Sequence, residues 1–211
     1  MSADVGEQET TTVRPAVRRS TRTRVVAAVA LVAVVGAVAY WRLAGQDLVV
    51  PYDDPQSAGS LTLCSADGEA VTEGRVDDTP FAGVVLGETA LPGELDPAGA
   101  VATLFAYQPR EGVDPREFSG SPLTAAHVLA DPDRPAVGVT EDVWSVADFV
   151  SAFPATYDGY VQLRLYLGTP EAGTLQEDPY DTADLRVDGD RWELVRGGDA
   201  SCADADPALV P

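Results

Sequence analysis

Gly159-Tyr160-Val161-Gln162-Leu163-Arg164-Leu165-Tyr166-Leu167-Gly168 decides the fold class of this chain. Val161, Leu163, Leu165 and Leu167 alternate with Gln162, Arg164 and Tyr166. That is the period-two pattern of a strand with one face on a core and the other toward solvent. Downstream, residues 182–187 and 191–195 form two more such runs, separated by Asp188-Gly189-Asp190. Asp-Gly between β-type runs signals a hairpin, because both residues accept positive φ. Residues 81–86 and 101–107 add further strands, each bounded by Pro and Gly. Short strands with frequent turn signals predict a mainly β domain, arranged as a β-sandwich with immunoglobulin-like packing as the fold-level analogy.

One or two short helices are expected within it. Thr140 as cap, Glu141 and Asp142 at the positive end, and Val143, Val146, Ala147, Val150 and Phe153 at helical spacing predict a helix that Pro154 stops. Ser121 as cap with Pro122 at the first position predicts a second, running through Ala130.

Upstream, the seventeen uncharged residues 25–41 follow a cluster of five arginines, Arg14, Arg18, Arg19, Arg22 and Arg24. Counted on to Gly45, the stretch spans roughly 31 Å as a helix, about one hydrocarbon core. Arginines before such a stretch stay in the cytoplasm, so the sequence predicts a single transmembrane helix over 25–45 with the C-terminal part outside. Tyr40 and Trp41 sit where an interfacial aromatic belt would lie. The rival is a signal sequence cleaved after Ala39, since Ala37-Val38-Ala39 reads as a small-residue site. The long leader and the hydrophobic continuation to Trp41 favour the anchor. Around it, residues 1–24 read as a disordered cytoplasmic tail, 46–60 as a stalk, 61–202 as the folded domain, and 203–211 as a loose tail.

Charge divides at the same place. Six of the fourteen arginines and three of the thirty-four acids precede or reach Gly45, a net of +3; the remaining eight and thirty-one give −23. So acidic an exterior repels nucleic acid and attracts cations and basic partners. The chain contains no Lys, Ile or Asn. Schiff-base and P-loop lysines and Asn-linked sugars are thereby excluded. Cys64 and Cys202, an even pair in an exported domain, predict a disulfide. Immunoglobulin cysteines lie much closer together, with Trp between them.

Residues 106–110 (Ala-Tyr-Gln-Pro-Arg), 160–168 and 181–195 resemble segments of uncharacterised exported single-pass membrane proteins of high-GC bacteria. The resemblance covers most of the outer domain, implies export and a single anchor, and carries over no activity and no catalytic residue.

The chemistry-bearing residues point away from catalysis. His127 is the only histidine, and 118–122 (Phe-Ser-Gly-Ser-Pro) lacks the nucleophile-elbow spacing. Cys64, Cys202 and His127 lack zinc-motif spacing. Asp181-Thr182-Ala183 lacks the glycine of an aspartic-protease loop. The acids Glu177, Asp178, Asp181, Asp184, Asp188 and Asp190 lack the calcium-loop pattern and read as a solvated face. Arg164 is expected to pair with a cross-strand carboxylate such as Asp184, and Tyr157 and Tyr160 form an aromatic pair beside it. In the tail, Thr10, Thr11 and Thr12 follow acids and precede Val13, the setting of a phosphoacceptor segment.

The expectation is a non-enzymatic, membrane-anchored binding or interaction domain without a catalytic residue, cofactor or metal. Its partners would be membrane lipid through 25–45 and a protein or envelope component outside. The alternative is a carboxylate-dependent hydrolase of an envelope polymer, which needs two facing acids in a cleft.

Overall fold

The alternating run at 160–168 lies in the longest strand of the domain, and every other strand of the large sheet is placed by pairing to it directly or through a neighbour. A computed structural model describes residues 49–209, all within one compact unit that begins at Leu48. The arginine cluster, the hydrophobic run, Thr10–Thr12 and residues 46–48 of the expected stalk lie outside the described residues. Among those described, no helix is long and apolar enough to cross a membrane.

The chain forms β1 (Ser57–Ser60), β2 (Thr62–Cys64), β3 (Glu73–Arg75), β4 (Val84–Leu86), β5 (Val101–Gln108), β6 (Ser119–Pro122), β7 (His127–Val128) and β8 (Ala136–Gly138). The helix α1 (Val146–Ala152) follows, then β9 (Tyr160–Thr169), β10 (Gly173–Thr174), β11 (Tyr180–Asp188) and β12 (Arg191–Arg196). The large sheet has the order β3-β12-β11-β9-β5-β6, with β1 joining β11, β10 joining β9 and β7 joining β5. All its pairings are antiparallel except β1 on β11, which is parallel. A second antiparallel sheet runs β2-β4-β8. The fold is mainly β, as the periodicity predicts.

Side-chain alternation explains why the two sheets share a core. Ala102, Leu104 and Ala106 of β5, Val161, Leu163 and Leu165 of β9, and Ala183 and Leu185 of β11 cluster with Leu63, Val85 and Val137 of the small sheet. The small sheet's other face, Cys64, Val84 and Leu86, is covered by Cys202, Ala200, Ala205 and Leu209. Buried on both sides, β2 and β4 carry apolar or small residues at consecutive positions rather than in alternation. The 3-10 turns at Cys202–Asp204 and Pro207–Leu209 thus belong to the fold, in place of the loose tail expected from 203. Cys64 and Cys202 are disulfide-bonded with Cα atoms 5.6 Å apart, so the expected bond joins an early strand to the C-terminal segment.

The predicted hairpin forms with Asp188 facing Arg191. Gly189 takes φ 61° while Asp190 keeps a negative φ, the pattern of a type II′ turn. The helices differ from expectation. α1 begins at Val146, because Ser145 rather than Thr140 caps it: Ser145 Oγ accepts from Asp148 N at 3.1 Å and the Asp148 carboxylate accepts from Ser145 N at 3.0 Å. No helix forms over 121–130. That segment pairs as β6 and β7 along β5, and the Thr124 hydroxyl accepts from Leu104 N at 3.1 Å. Strand pairing along a sheet edge outweighs a cap and a proline, which are weak local signals.

Candidate functional site

The polar residues of β9 do not face solvent. Gln162 and Arg164 are buried, the arginine to 2% exposure, although their strand reads as half-exposed. Their cover comes from residues 49–54, which pass over the outer face of the large sheet before β1 joins its edge, and from the turn at Pro115–Phe118. The folded unit therefore includes the residues that composition reads as stalk.

Register builds the site. Phe105 of β5, Arg164 of β9 and Thr182 of β11 stand in one row, with Tyr107, Gln162 and Asp184 in the next. Asp184 in turn faces Arg196 of β12. Arg164 Nε donates to Gln162 Oε1 at 2.7 Å, Nη1 to the Tyr166 hydroxyl at 3.3 Å, and Nη2 to the Pro115 carbonyl at 2.9 Å. Its guanidinium carbon lies 4.1 Å from the Tyr107 ring centre and 4.9 Å from that of Tyr180, within cation–π range. Burial pulls its pKa down, but the hydrogen bond to Tyr166 and the electrostatic surroundings of Tyr180, Tyr166 and Asp54 together more than compensate, so the group stays charged.

Its counter-charge is Asp54, not Asp184. Asp54 Oδ2 is 3.4 Å from Arg164 Nη2, with both side chains almost fully buried, and accepts from the Tyr180 hydroxyl at 2.9 Å. Asp184 is taken by Arg196, whose Nε lies 2.6 Å from its carboxylate, and by the Tyr52 hydroxyl. The expected Arg164–Asp184 pair fails for a geometric reason. The two stand in successive rows, and a nearer cation faces Asp184 directly. Burial raises the Asp184 pKa despite Arg196, and burial together with the Asp184 charge raises that of Tyr52.

The expected acidic face divides. Glu177, Asp178, Asp188 and Asp190 are exposed, whereas Asp181 and Asp184 are buried. Asp181 accepts from Glu88 N at 2.7 Å, Thr89 N at 2.9 Å and the Thr89 hydroxyl, so it fastens the loop after β4. His127 sits on the edge strand β7, with Nδ1 3.3 Å from the Ala125 carbonyl oxygen. Tyr157, half-buried, and Tyr160, buried, both touch residues 49–60: their hydroxyls donate to the Pro51 and Val49 carbonyls at 3.1 and 3.2 Å. Tyr52 and Asp54 are the participants that sequence reasoning passed over. Their signal was present in Tyr-Asp-Asp-Pro directly before β1, but prolines in an acidic stretch read as linker.

The geometry defines a mainly β, disulfide-closed domain with a buried arginine–carboxylate centre under an N-terminal strap. A scan against protein families finds no matching family model, and searches of curated proteins and solved structures find no match either.

Proposed function

We propose that this protein is a membrane-anchored interaction protein, with a single transmembrane helix over 25–45, its tail inside and its β-rich domain outside as a sandwich of immunoglobulin-like kind. The observation that carries the reading is the division of its acids. Each fully buried carboxylate is committed to the fold: Asp54 to Arg164 and Tyr180, Asp181 to Thr89 and two backbone amides, Asp184 to Arg196 and Tyr52. The other acids among the described residues remain at least partly exposed, where they recruit a basic protein or envelope partner by charge. Membership of an exported single-pass group fits the same placement.

A hydrolase would need a desolvated carboxylate lining a cleft with a second acid opposite. Asp184 meets the first condition but sits beneath Tyr52, and hollows of about 410 and 320 Å³ are lined by other residues. Protease added to intact, wall-stripped cells should remove the outer domain and spare the tail. Cross-linked partners should co-purify with the membrane-extracted protein at low salt and be depleted at high salt, as exposed charge contacts are screened. A soluble mature form beginning at Tyr40 would replace the anchor with a cleaved signal. Salt-insensitive capture would remove the charge-based part of the reading.

A further inference from the structure

We infer that residues 49–60 occupy a peptide-binding groove of the domain as an intramolecular ligand, and that the groove accepts an extended, carboxylate-bearing segment of another protein in their place. This deepens the interaction-domain reading and rests on it. The strap brings no residue to either hydrophobic cluster; the core begins at Leu61. It is held by contacts of the kind that recognise a peptide. β1 adds in parallel to the N-terminal part of β11, at Tyr180, Asp181 and Thr182, beyond the stretch that β12 covers. Main-chain bonds run from Tyr180 N to the Gln56 carbonyl at 3.1 Å and from Leu61 N to the Thr182 carbonyl at 2.9 Å. Strand addition gives affinity through the backbone and specificity through pockets for particular side chains.

Two such subsites are built. In the first, Arg164 is held by Gln162 and Tyr166 of its own strand and by Pro115 of the turn after β5, all neutral acceptors outside the strap, and is walled by Tyr107 and Tyr180. Among the described residues its ion-pair partner is Asp54 alone, and Asp54 belongs to the strap. The receptor half is therefore oriented independently of the carboxylate it receives, an arrangement suited to exchange of that carboxylate. In the second, Asp184 is already paired with Arg196 and accepts an aromatic hydroxyl from Tyr52, whose ring lies edge-on to Phe118 at 5.4 Å. The groove thus reads a hydroxyl-bearing aromatic followed two positions later by a carboxylate. Close backbone approach completes the selection: a Cβ on Gly59 would lie 2.3 Å from Asp181 Oδ1, so a small residue must follow.

The test uses the full chain in detergent micelles and a fluorescent synthetic peptide of residues 49–60, followed by anisotropy. The tethered strap competes at an effective concentration near millimolar, so the natural chain should bind weakly. Asp54→Ala and Gly59→Ala, which loosen the strap, should each bind the peptide at least ten-fold more tightly than the natural chain. Arg164→Gln added to Asp54→Ala should abolish the gain, and a peptide with Asp54→Ala should bind at least ten-fold more weakly. Folded variants that gain no binding overturn the proposal, as does global unfolding of both, which would make the strap an inseparable part of the fold. Hydrogen exchange of the natural chain adds a condition the proposal must meet: amides at 57–60 should exchange at least ten-fold faster than those at the centre of β9, and equal rates overturn the proposal. A negative result with salt-sensitive partner capture retained would leave the interaction-domain reading standing.

Discussion

Replacing both bonded cysteines, as Cys64→Ala/Cys202→Ala, should lower the stability of the β-rich domain by about 5 kcal/mol. The bond closes a loop across 138 positions of sequence, and the chain-entropy relation for a loop of that size gives about 5 kcal/mol at 25 °C. Most of the effect falls on the unfolded chain, which loses its cross-link and expands. The urea m-value should therefore rise as the midpoint falls. Part of it is native: Cys64 is fully buried between β4 and the C-terminal turn, and truncating it leaves a small void beside Val84 and Leu86. Alanine is the proper substitute, because serine would bury a hydroxyl without an assigned partner. Urea titration of the full chain in a non-denaturing detergent, followed by tryptophan fluorescence, reads the change, since Trp192 is buried in the core. The thermal midpoint should fall by roughly 10–20 °C for a domain of this size. A loss below about 2 kcal/mol with an unchanged m-value would refute the reasoning. It would mean that the C-terminal segment is held in place by packing, with the cross-link adding little.

Three further outcomes test the buried centre and the helix. Arg164→Met should destabilise by about 3–5 kcal/mol, because it leaves the Asp54 carboxylate buried without its cation; adding Asp54→Leu should restore part of the loss, and strict additivity in denaturant titrations would contradict a coupled pair. Burial raises the pKa of Asp184, so between the ordinary carboxylate value and that raised value the folded state holds a proton the unfolded chain has released. Stability relative to Asp184→Asn should accordingly rise on acidification through that window and be lowest above it, as urea midpoints across a pH series would show, and the opposite slope would refute the assignment. Exposed Asp77, Asp114, Asp131 and Asp148, all with lowered pKa values, act in the other direction in both proteins and cancel in the comparison. Ser145→Ala should cost about 1 kcal/mol by opening the capping box of α1, whereas Thr140→Ala should change stability by less than half of that, a contrast that thermal denaturation resolves.

Much of the scaffold is legible from local pattern. The alternation around Leu163, the Asp188–Asp190 turn and the Cys64–Cys202 pair each carry their own physical cause: a sheet exposes alternate side chains to one core, a two-residue turn needs positive φ, and two cysteines whose Cα atoms come within 5.6 Å can close a bond. The helix expected over 121–130 does not form, because cap and proline signals are local and pairing along β5 outweighs them. The same limit hid the site. Nothing within ten residues of Arg164 announces Asp54, 110 positions away in sequence, and a strand that alternates polar with apolar residues looks alike whether its polar face meets water or another part of the chain.

The sequence by itself therefore determined the β class, the hairpin, the cross-link and the separation of charge between the two ends of the chain, because each depends on neighbouring residues or on composition. Only the tertiary structure decided that residues 49–54 pass over the outer face, that Arg164 pairs with Asp54 while Asp184 pairs with Arg196, and that Tyr52 reaches a buried carboxylate. Those choices depend on which groups share a low-dielectric space once the sheet has formed. There an arginine must find a counter-charge at hydrogen-bonding distance, and its identity is set by register and by the path of the strap.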